Sequence, residues 1–341
     1  MSSSLPSSLR ERLAKLDIRP YGVPIHEQTK EWLIANFKQG ATDYPVNVSL
    51  LMKNIIWQLR SRIQTRQKPP LKELVRTFWY MYIKPTLARV DSLVHETDQY
   101  DQLVKTLVKL VKDRAVMDYK DIGFRDDNQA NRKVALNAHV ILFSEKAGHQ
   151  DFLAEMADKY QISTIALGGQ PSVMNIEYFV DDIKSRGIDI QRSFYLFGIT
   201  DYDTSGWIIR DAFLDDLARY KIRNTKNTDL IHPDCLSPEE IQLARYPIPD
   251  TQTMAKKNTA WLRQIRAMKY QNQKYLGPES DSRGSRIIYG LEAESVSSKR
   301  LAEKLDELLP PLLGQNERLL RIMNLEKLNQ AIRDLILFEL T

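Results

Sequence analysis

The chain has 341 residues, of which 43% are hydrophobic and 27% charged, so it is long enough for two or three globular domains. Its formal net charge of +5 permits a polyanionic partner without requiring one. The only cysteine, Cys235, excludes an internal disulfide and a multi-cysteine zinc site, and it suits a reducing compartment. We find neither an apolar run of about 18 residues nor a signal-peptide pattern, so we expect no membrane association.

The first part of the sequence has the periodicity of helices, because apolar residues recur three and four apart. The predicted helices are Glu27–Phe37, Val48–Gln64, one from Leu71 to about Pro85, and one from about Asp98 to Val111. The break before Leu71 is Pro69-Pro70, since proline cannot continue a helix. These short helices, with a few extended residues at 116–121, suit a winged-helix module.

From about Arg132 the pattern changes to alternating strands and helices. Short apolar runs rich in β-branched and aromatic residues predict buried strands at Val134–Phe143, Ser163–Leu167 and Phe194–Thr200. Amphipathic stretches follow these runs, at His149–Tyr160, Pro171–Arg186 and Trp207–Tyr220. This alternation predicts a parallel α/β sheet. After about Pro238 the pattern is mostly helical and ends in a Leu-rich helical tail, so the expected fold class is α/β plus α.

Three carboxylates follow the predicted strands. Glu145 comes directly after "VILFS", and Asp201 and Asp203 follow the third strand in "ITDYDTSGW". Ligand sites of parallel sheets lie at the carboxyl ends of strands, and residues two apart in an extended segment point the same way. Carboxylates without His or Cys suit Mg²⁺, which prefers oxygen ligands. The alternative is that Asp-x-Asp is a solvated turn that caps the next helix.

This arrangement resembles a Toprim domain. The turn "LGGQPS", Leu167 to Ser172, resembles a loop of topoisomerase VI A subunits and the related meiotic double-strand-break proteins, and "GLEAESV" (Gly290–Val296) resembles another segment of that family. In the family the Glu and the Asp-x-Asp hold Mg²⁺, so the resemblance implies that role for Glu145, Asp201 and Asp203. The family usually continues with Pro-Tyr-Gly, of which this chain keeps only the glycine, Gly206.

The run "LVRTFWYMYIKP" resembles the family motif "kRDiYY", whose second tyrosine attacks DNA. Residue by residue, Arg76 matches the arginine and Tyr80 the nucleophile, whereas Thr77 and Trp79 stand where the family has Asp and Tyr. Helix geometry supports Tyr80 independently, because it lies one turn after Arg76 on the same face, and Tyr82 points elsewhere. A guanidinium one turn away can contact the phosphate that a tyrosine attacks.

The resemblance implies a division of the chain into an N-terminal helical segment (residues 1–68), a winged-helix (CAP-like) domain with the nucleophile (69–130), and a Toprim domain with a Rossmann-like parallel sheet and a helical C-terminal extension (131–341). It implies a type IIB DNA topoisomerase of the ATP-hydrolysing kind, of which this chain is the cleavage subunit. The expected reaction is Mg²⁺-dependent cleavage and religation of double-stranded DNA. Further DNA contacts are expected at Lys146, Gln170 and Ser172.

In the family, the tyrosine of one subunit works with the Toprim domain of its partner in a homodimer. A GHKL-type ATPase B subunit docks on the N-terminal region, which corresponds to residues 1–68. The expected location is the cytoplasm or nucleoid, or the nucleus in a eukaryote.

Three alternatives stay open at the level of the sequence. The chain can cut DNA without religating it, or it can be a Toprim nuclease that uses water, or it can be a catalytically silent DNA-binding or scaffold protein. In the last two cases residues 78–82 form an aromatic core helix, Tyr80 is structural, and Arg76 is a surface charge.

Overall fold

The computed structural model describes residues 6–38, 45–93, 95–126, 128–169, 172–248, 252–277, 279–280 and 286–313, with a few further positions between 328 and 336. The chain divides into two units, Met1–Asp127 and Asn128–Thr341. The first unit contains the predicted N-terminal segment and nearly all of the predicted winged-helix domain. About half of the predicted Leu-rich tail lies outside the described residues.

The described residues of the first unit are built from helices. Its α-helices are α1 (Ser7–Lys15), α2 (Lys30–Phe37), α3 (Val48–Gln64), α4 (Val75–Phe78), α5 (Lys84–Arg89) and α6 (Glu96–Val108). Helix α3 has the predicted bounds. Asn47 is its N-cap, and the Asn47 side chain accepts a hydrogen bond from the Leu50 amide at 2.9 Å. The predicted helix at Glu27 begins later, at Lys30, because Thr29 caps it.

The first unit shows no wing strands in the residues that the structure describes. Among its described residues, β-pairing is limited to an isolated bridge between Lys38 and Val46. The segment 116–121, which we expected to be extended, contains a 3₁₀ turn at Tyr119–Asp121 instead. Asp118 and Asp121 form a capping box around this turn. The hydrophobic pattern of the segment, on which the expectation rested, does not indicate such local hydrogen bonds.

The helix that carries Tyr80 differs from its predicted bounds at both ends. Leu71 is not helical, since its amide donates to the Ile122 carbonyl at 3.0 Å. At the other end the helix passes Pro85, because a π-helical turn, Trp79–Ile83, joins α4 to α5. Proline has no N–H and its ring crowds the carbonyl four residues earlier, so the chain widens here, and the Lys84 amide donates to the Trp79 carbonyl.

The second unit contains the predicted sheet, which is mixed but mostly parallel. Its strands are β1 (Arg132–Lys133), β2 (Asn137–Ser144), β3 (Ile162–Ala166), β4 (Phe194–Ile199) and β5 (Thr225–Asp229), in the order β1-β3-β2-β4-β5. Only β1 is antiparallel to its neighbour. The three predicted strands are confirmed as β2, β3 and β4. The strand β5 was not predicted, because its sequence, "TKNTD", is polar. A polar sequence is compatible with its place at the edge of the sheet.

Helices cover both faces of this sheet. The connecting helices are α7 (Gln150–Tyr160), α8 (Val173–Ser185) and α9 (Thr204–Arg219). Alternate residues of β2 point to opposite faces: Ile141 and Phe143 pack with α8 and α9, whereas Val140 and Leu142 pack with α7. A strand buried on both faces is apolar throughout, which is why these strands could be predicted.

The remainder of the second unit was predicted to be mostly helical, and it also contains short strands. In chain order it comprises α10 (Pro238–Ala244), β6 (Arg245–Pro247), α11 (Gln252–Met268), β7 (Glu279–Ser280), β8 (Arg286–Ile287), β9 (Tyr289–Leu291), α12 (Ser298–Leu308) and α13 (Pro310–Leu313). Strand β9 pairs with β6 and, through Leu291, with Tyr202 just after β4. In the part of the chain that the structure describes, no helix has the length and apolarity that a membrane span needs.

Candidate metal centre and candidate nucleophile

The predicted acidic residues lie at the point where the sheet topology changes direction. From β2 the chain crosses to β3 on one side, and it later returns to form β4 on the other side of β2. The carboxyl ends of β2 and β4 are therefore adjacent, with Ser144 paired with Ile199. Crevices at such switch points are the usual ligand sites of parallel sheets. Glu145 and Asp201 stand directly beyond these two strand ends.

Glu145 and Asp201 are in contact. The Asp201 amide donates to Oε2 of Glu145 at 3.3 Å, and the Glu145 carbonyl accepts a hydrogen bond from the Gly169 amide at 2.7 Å. The second bond brings the turn that begins with Gly168 and Gly169 against the acidic pair. Both glycines have positive φ, +67° and +96°, a conformation that favours glycine.

The electrostatics of the pair favour a bound cation. Burial raises the pKa of Glu145 to about 6, and the neighbouring Asp201 charge contributes to this increase. Burial also raises the pKa of Asp201. Ionising both carboxylates of this partly buried pair therefore has an electrostatic cost, which a positive charge beside them would reduce.

Asp203 lies beside the pair but has a structural role of its own. Its Oδ1 accepts a hydrogen bond from the Gly206 amide at 2.6 Å, so it is the N-cap of α9, and its Oδ2 accepts one from the Tyr246 hydroxyl at 2.8 Å. The alternative interpretation of Asp-x-Asp as a cap therefore holds for Asp203. A carboxylate has about four lone-pair positions, so capping leaves room for a further ligand.

A lysine supplies positive charge at the acidic pair. Nζ of Lys146 lies 3.4 Å from Oδ2 of Asp201, and it also pairs with Glu292 and with Glu294, the latter at 3.4 Å. Burial alone would lower the pKa of Lys146, but the Glu292 hydrogen bond and the surrounding carboxylates raise it above its usual value. Lys146 was predicted to contact DNA; in this structure it is the counter-ion of the acidic cluster.

Glu292 and Glu294 were not singled out by sequence reasoning. The bridge between Tyr202 and Leu291 brings their segment to the site, where the Ala293 amide donates to Oδ1 of Asp201 at 2.8 Å. The signal in the sequence is the segment "GLEAESV", whose resemblance to a family segment implies no role for its two glutamates. The β-bridge joins positions far apart in sequence, so no local sequence pattern indicates it.

The donor set fits Mg²⁺ in its chemistry. Within the described ranges, no group of three or more His, Cys, Asp or Glu side chains is gathered as a metal-ligand cluster. Glu145 and Asp201 are nevertheless adjacent oxygen donors, and Mg²⁺ sites commonly use one or two carboxylates together with waters and substrate phosphates. Glu145 and Asp201 would hold the ion, with Asp203 next to them.

In the first unit, the two candidate tyrosines have different surroundings. The Tyr80 side chain is 45% exposed, whereas Tyr82 is 5% exposed and packs against Phe78. The Tyr82 hydroxyl accepts a hydrogen bond from Lys68 Nζ at 2.6 Å. The prediction that these tyrosines lie on different faces is confirmed, and only Tyr80 is open to a large substrate.

Cations flank the Tyr80 ring. Cζ of Arg76 lies 5.9 Å from the ring centroid, and Nζ of Lys84 lies 5.0 Å from it. The predicted proximity of Arg76 to Tyr80 is therefore present, and Lys84 is an addition that the sequence motif did not suggest. Two positive charges close to an exposed phenol suit the approach of a phosphodiester.

The remaining predicted contacts are less informative. Ser172 is the N-cap of α8, and its hydroxyl accepts a hydrogen bond from the Asn175 amide at 3.4 Å. Gln170 lies outside the described residues. A role for either residue in DNA binding stays a prediction.

Comparison of the chain with protein-family models and with curated proteins gives no match. Function is therefore inferred from the residues and the geometry of the two sites.

Proposed function

We propose that the chain is a Mg²⁺-dependent DNA-cleaving transesterase, resembling the A subunit of topoisomerase VI, with Tyr80 as its nucleophile. The observation that carries the proposal is the contact of Glu145 with Asp201 at the switch point of a parallel sheet. We further propose that the second unit is a Toprim domain, that the helices around Tyr80 belong to a winged-helix domain, and that the protein acts as a homodimer with an ATPase partner.

The chemistry follows from the groups present. The Tyr80 oxygen loses its proton and attacks a DNA phosphorus, which forms a phosphotyrosyl bond to the 5′ end of the broken strand. The P–O3′ bond breaks, and the 3′ oxygen takes up a proton from water. Arg76 binds and orients the phosphate beside the attacking oxygen. Glu145 and Asp201 would hold the ion, and bound Mg²⁺ would neutralise charge on the phosphate and on the leaving oxygen. Religation is the reverse attack by the 3′ hydroxyl.

Covalent trapping tests this proposal. The protein is incubated with supercoiled double-stranded DNA and Mg²⁺, with and without a candidate ATPase subunit, and then denatured. We expect cut DNA with protein attached to its 5′ ends. Tyr80→Phe should abolish the adducts, because it removes only the nucleophilic oxygen from an exposed ring. Tyr82→Phe is the matched control, since the same atom is lost from a buried ring.

The other outcomes separate the alternatives. Cleavage by Tyr80→Phe without adducts would favour a nuclease that uses water. Binding without cleavage by the wild type, with or without the ATPase partner, would favour a DNA-binding scaffold. Adducts that do not reverse when Mg²⁺ is chelated or salt is added would favour break formation without religation.

A further inference from the structure

A carboxylate and a lysine beside Tyr80 form a local group that the proposed reaction has not yet used. Glu96 is the first residue of α6, and its Oε2 accepts a hydrogen bond from Lys84 Nζ at 2.8 Å. The same lysine lies over the Tyr80 ring, with its Nζ 5.0 Å from the ring centroid, and the neighbouring Tyr80 hydroxyl is one of the groups that lower the pKa of the Glu96 carboxylate. Two neighbouring helical segments thus bring Tyr80, Lys84 and Glu96 together.

The π-helical turn contributes to this arrangement. It inserts an extra residue into the helix between Tyr80 and Lys84, so the two residues are not stacked as in a regular α-helix. We attribute the π-helical turn to Pro85, which directly follows Lys84. Such turns often occur at functional sites because they change the direction of side chains without ending the helix.

Other charged and titratable groups also face Tyr80. Cζ of Arg76 is 5.9 Å from the ring centroid of Tyr80 and 5.1 Å from that of Tyr100, which comes from α6. Glu96 is a carboxylate in this group, and hydrogen bonding from Lys84 holds its pKa below the usual value. Glu96 is therefore ionised at neutral pH.

We propose that Glu96 accepts the Tyr80 proton during attack on DNA and that Lys84 is a positioning residue that holds the Glu96 carboxylate; this inference rests on the proposed transesterase function. A phenol has a pKa near 10, so at neutral pH it needs a proton acceptor within reach. The Tyr80 O–H bond breaks as the O–P bond forms, and the proton passes to Glu96. The P–O3′ bond breaks, the 3′ oxygen takes a proton from water, and Glu96 returns its own to water.

The test is the rate of adduct formation as a function of pH. Wild type, Glu96→Gln, Lys84→Met and Asp91→Asn are each mixed with duplex DNA and Mg²⁺ at pH values from about 6 to about 10, a range that includes the pKa of a free phenol. Asp91→Asn is the matched control, because Asp91 is another exposed carboxylate of the first unit paired with a lysine, Lys30. Circular dichroism verifies that every variant is folded.

We expect Glu96→Gln to slow adduct formation about 100-fold at pH 7. The difference in rate between this variant and the wild type should shrink as the pH approaches the pKa of a free phenol, because a phenol then ionises without a base. Lys84→Met should show a smaller deficit with the same pH trend, and Asp91→Asn should match the wild type. If Glu96→Gln forms adducts more slowly than the wild type by the same factor at every pH, the role of Glu96 is structural and the inference is wrong. The inference is also wrong if Glu96→Gln forms adducts at the wild-type rate. Wild-type protein that forms no adduct at any pH overturns the proposed function instead, and the proton relay with it.

Discussion

Glu145 and Asp203 are both carboxylates near the same strand ends, but their side chains have different hydrogen-bond partners. Glu145 accepts one hydrogen bond, from the Asp201 amide at 3.3 Å, and it lies next to the Asp201 charge. Asp203 accepts two shorter bonds, from the Gly206 amide and the Tyr246 hydroxyl. The effect of each on folding therefore differs, although both belong to the proposed metal centre.

We expect Glu145→Gln to increase the stability of the metal-free protein at neutral pH. The pKa of Glu145 is raised from 4.5 to about 6, so the folded state binds its proton more tightly than the unfolded state does. Wild-type stability is therefore lost as the pH rises through this window, by about 1 to 2 kcal/mol. The measurement is urea unfolding in a chelating buffer at pH 4.5 and pH 7.5. Glu145→Gln should exceed the wild type only at the higher pH, and a variant less stable than the wild type at both values would contradict this.

Asp203→Ala should have the opposite effect. It removes the N-cap of α9 and leaves the buried end of Tyr246 without its acceptor, which together should cost about 1 to 3 kcal/mol in the free energy of unfolding. The same chelated buffer is used, so that metal binding does not contribute. Asp203→Asn is the matched control, because its amide oxygen can still accept one of the two bonds. Equal stability of Asp203→Ala and the wild type would show that these hydrogen bonds do not stabilise the protein.

At the scale of elements, the junction between β4 and α9 depends on one glycine. A Cβ at Gly206 would lie 2.1 Å from the Asp201 carbonyl oxygen, and no side-chain rotation can relieve that contact because the backbone fixes the positions of both atoms. The helix can begin this close to the end of the strand only with glycine at this position. The junction thereby holds Asp201 and Asp203 at the edge of the sheet.

We expect Gly206→Ala to displace Asp201 and to destabilise the protein by about 1 to 3 kcal/mol. Mg²⁺-dependent adduct formation should fall together with stability, whereas DNA affinity without metal should change little. Ser205→Ala is the control, since Ser205 is exposed in the same helical turn. Thermal unfolding and adduct assays on the three proteins test this prediction, and wild-type behaviour of Gly206→Ala would mean that the junction tolerates a Cβ.

At the scale of the whole molecule, we expect each active site to be formed by residues of two chains. Tyr80 belongs to the first unit, and Glu145 and Asp201 belong to the second. Cutting both strands of a duplex needs two nucleophiles, and an isologous dimer supplies two equivalent sites from one interface. We therefore expect each site to combine Tyr80 of one chain with the carboxylates of the other.

Complementation tests the shared site. Tyr80→Phe and Asp201→Ala chains, each inactive alone, are mixed under subunit exchange that is verified by native mass spectrometry. A shared site leaves one intact combination in the heterodimer, so single-strand nicks and protein–DNA adducts should reappear. If each site is built within one chain, both sites of the heterodimer are defective and the mixture stays inactive after exchange.

The apolar runs of the second unit determined a large part of the fold. Residues buried on both faces of a sheet must be apolar, so β2, β3 and β4 could be predicted from composition alone. Glu145, Asp201 and Asp203 followed as residues beyond strand ends. Tyr80 followed from the resemblance of its motif to that of topoisomerase VI A subunits, and its helical spacing to Arg76 supported the choice. These inferences depend on local patterns, which are present in a single sequence.

Tertiary structure decided what depends on pairing between distant segments. The polar strand β5 is stabilised by its hydrogen bonds to β4, and Glu292 reaches Asp201 through the bridge at Leu291. Likewise, the passage of the helix beyond Pro85 depends on a π-helical turn, and Glu96 meets Lys84 only when α6 packs beside that helix. Hydrogen bonds and ion pairs between segments far apart in sequence impose no period on either segment, and so only the folded chain reveals them.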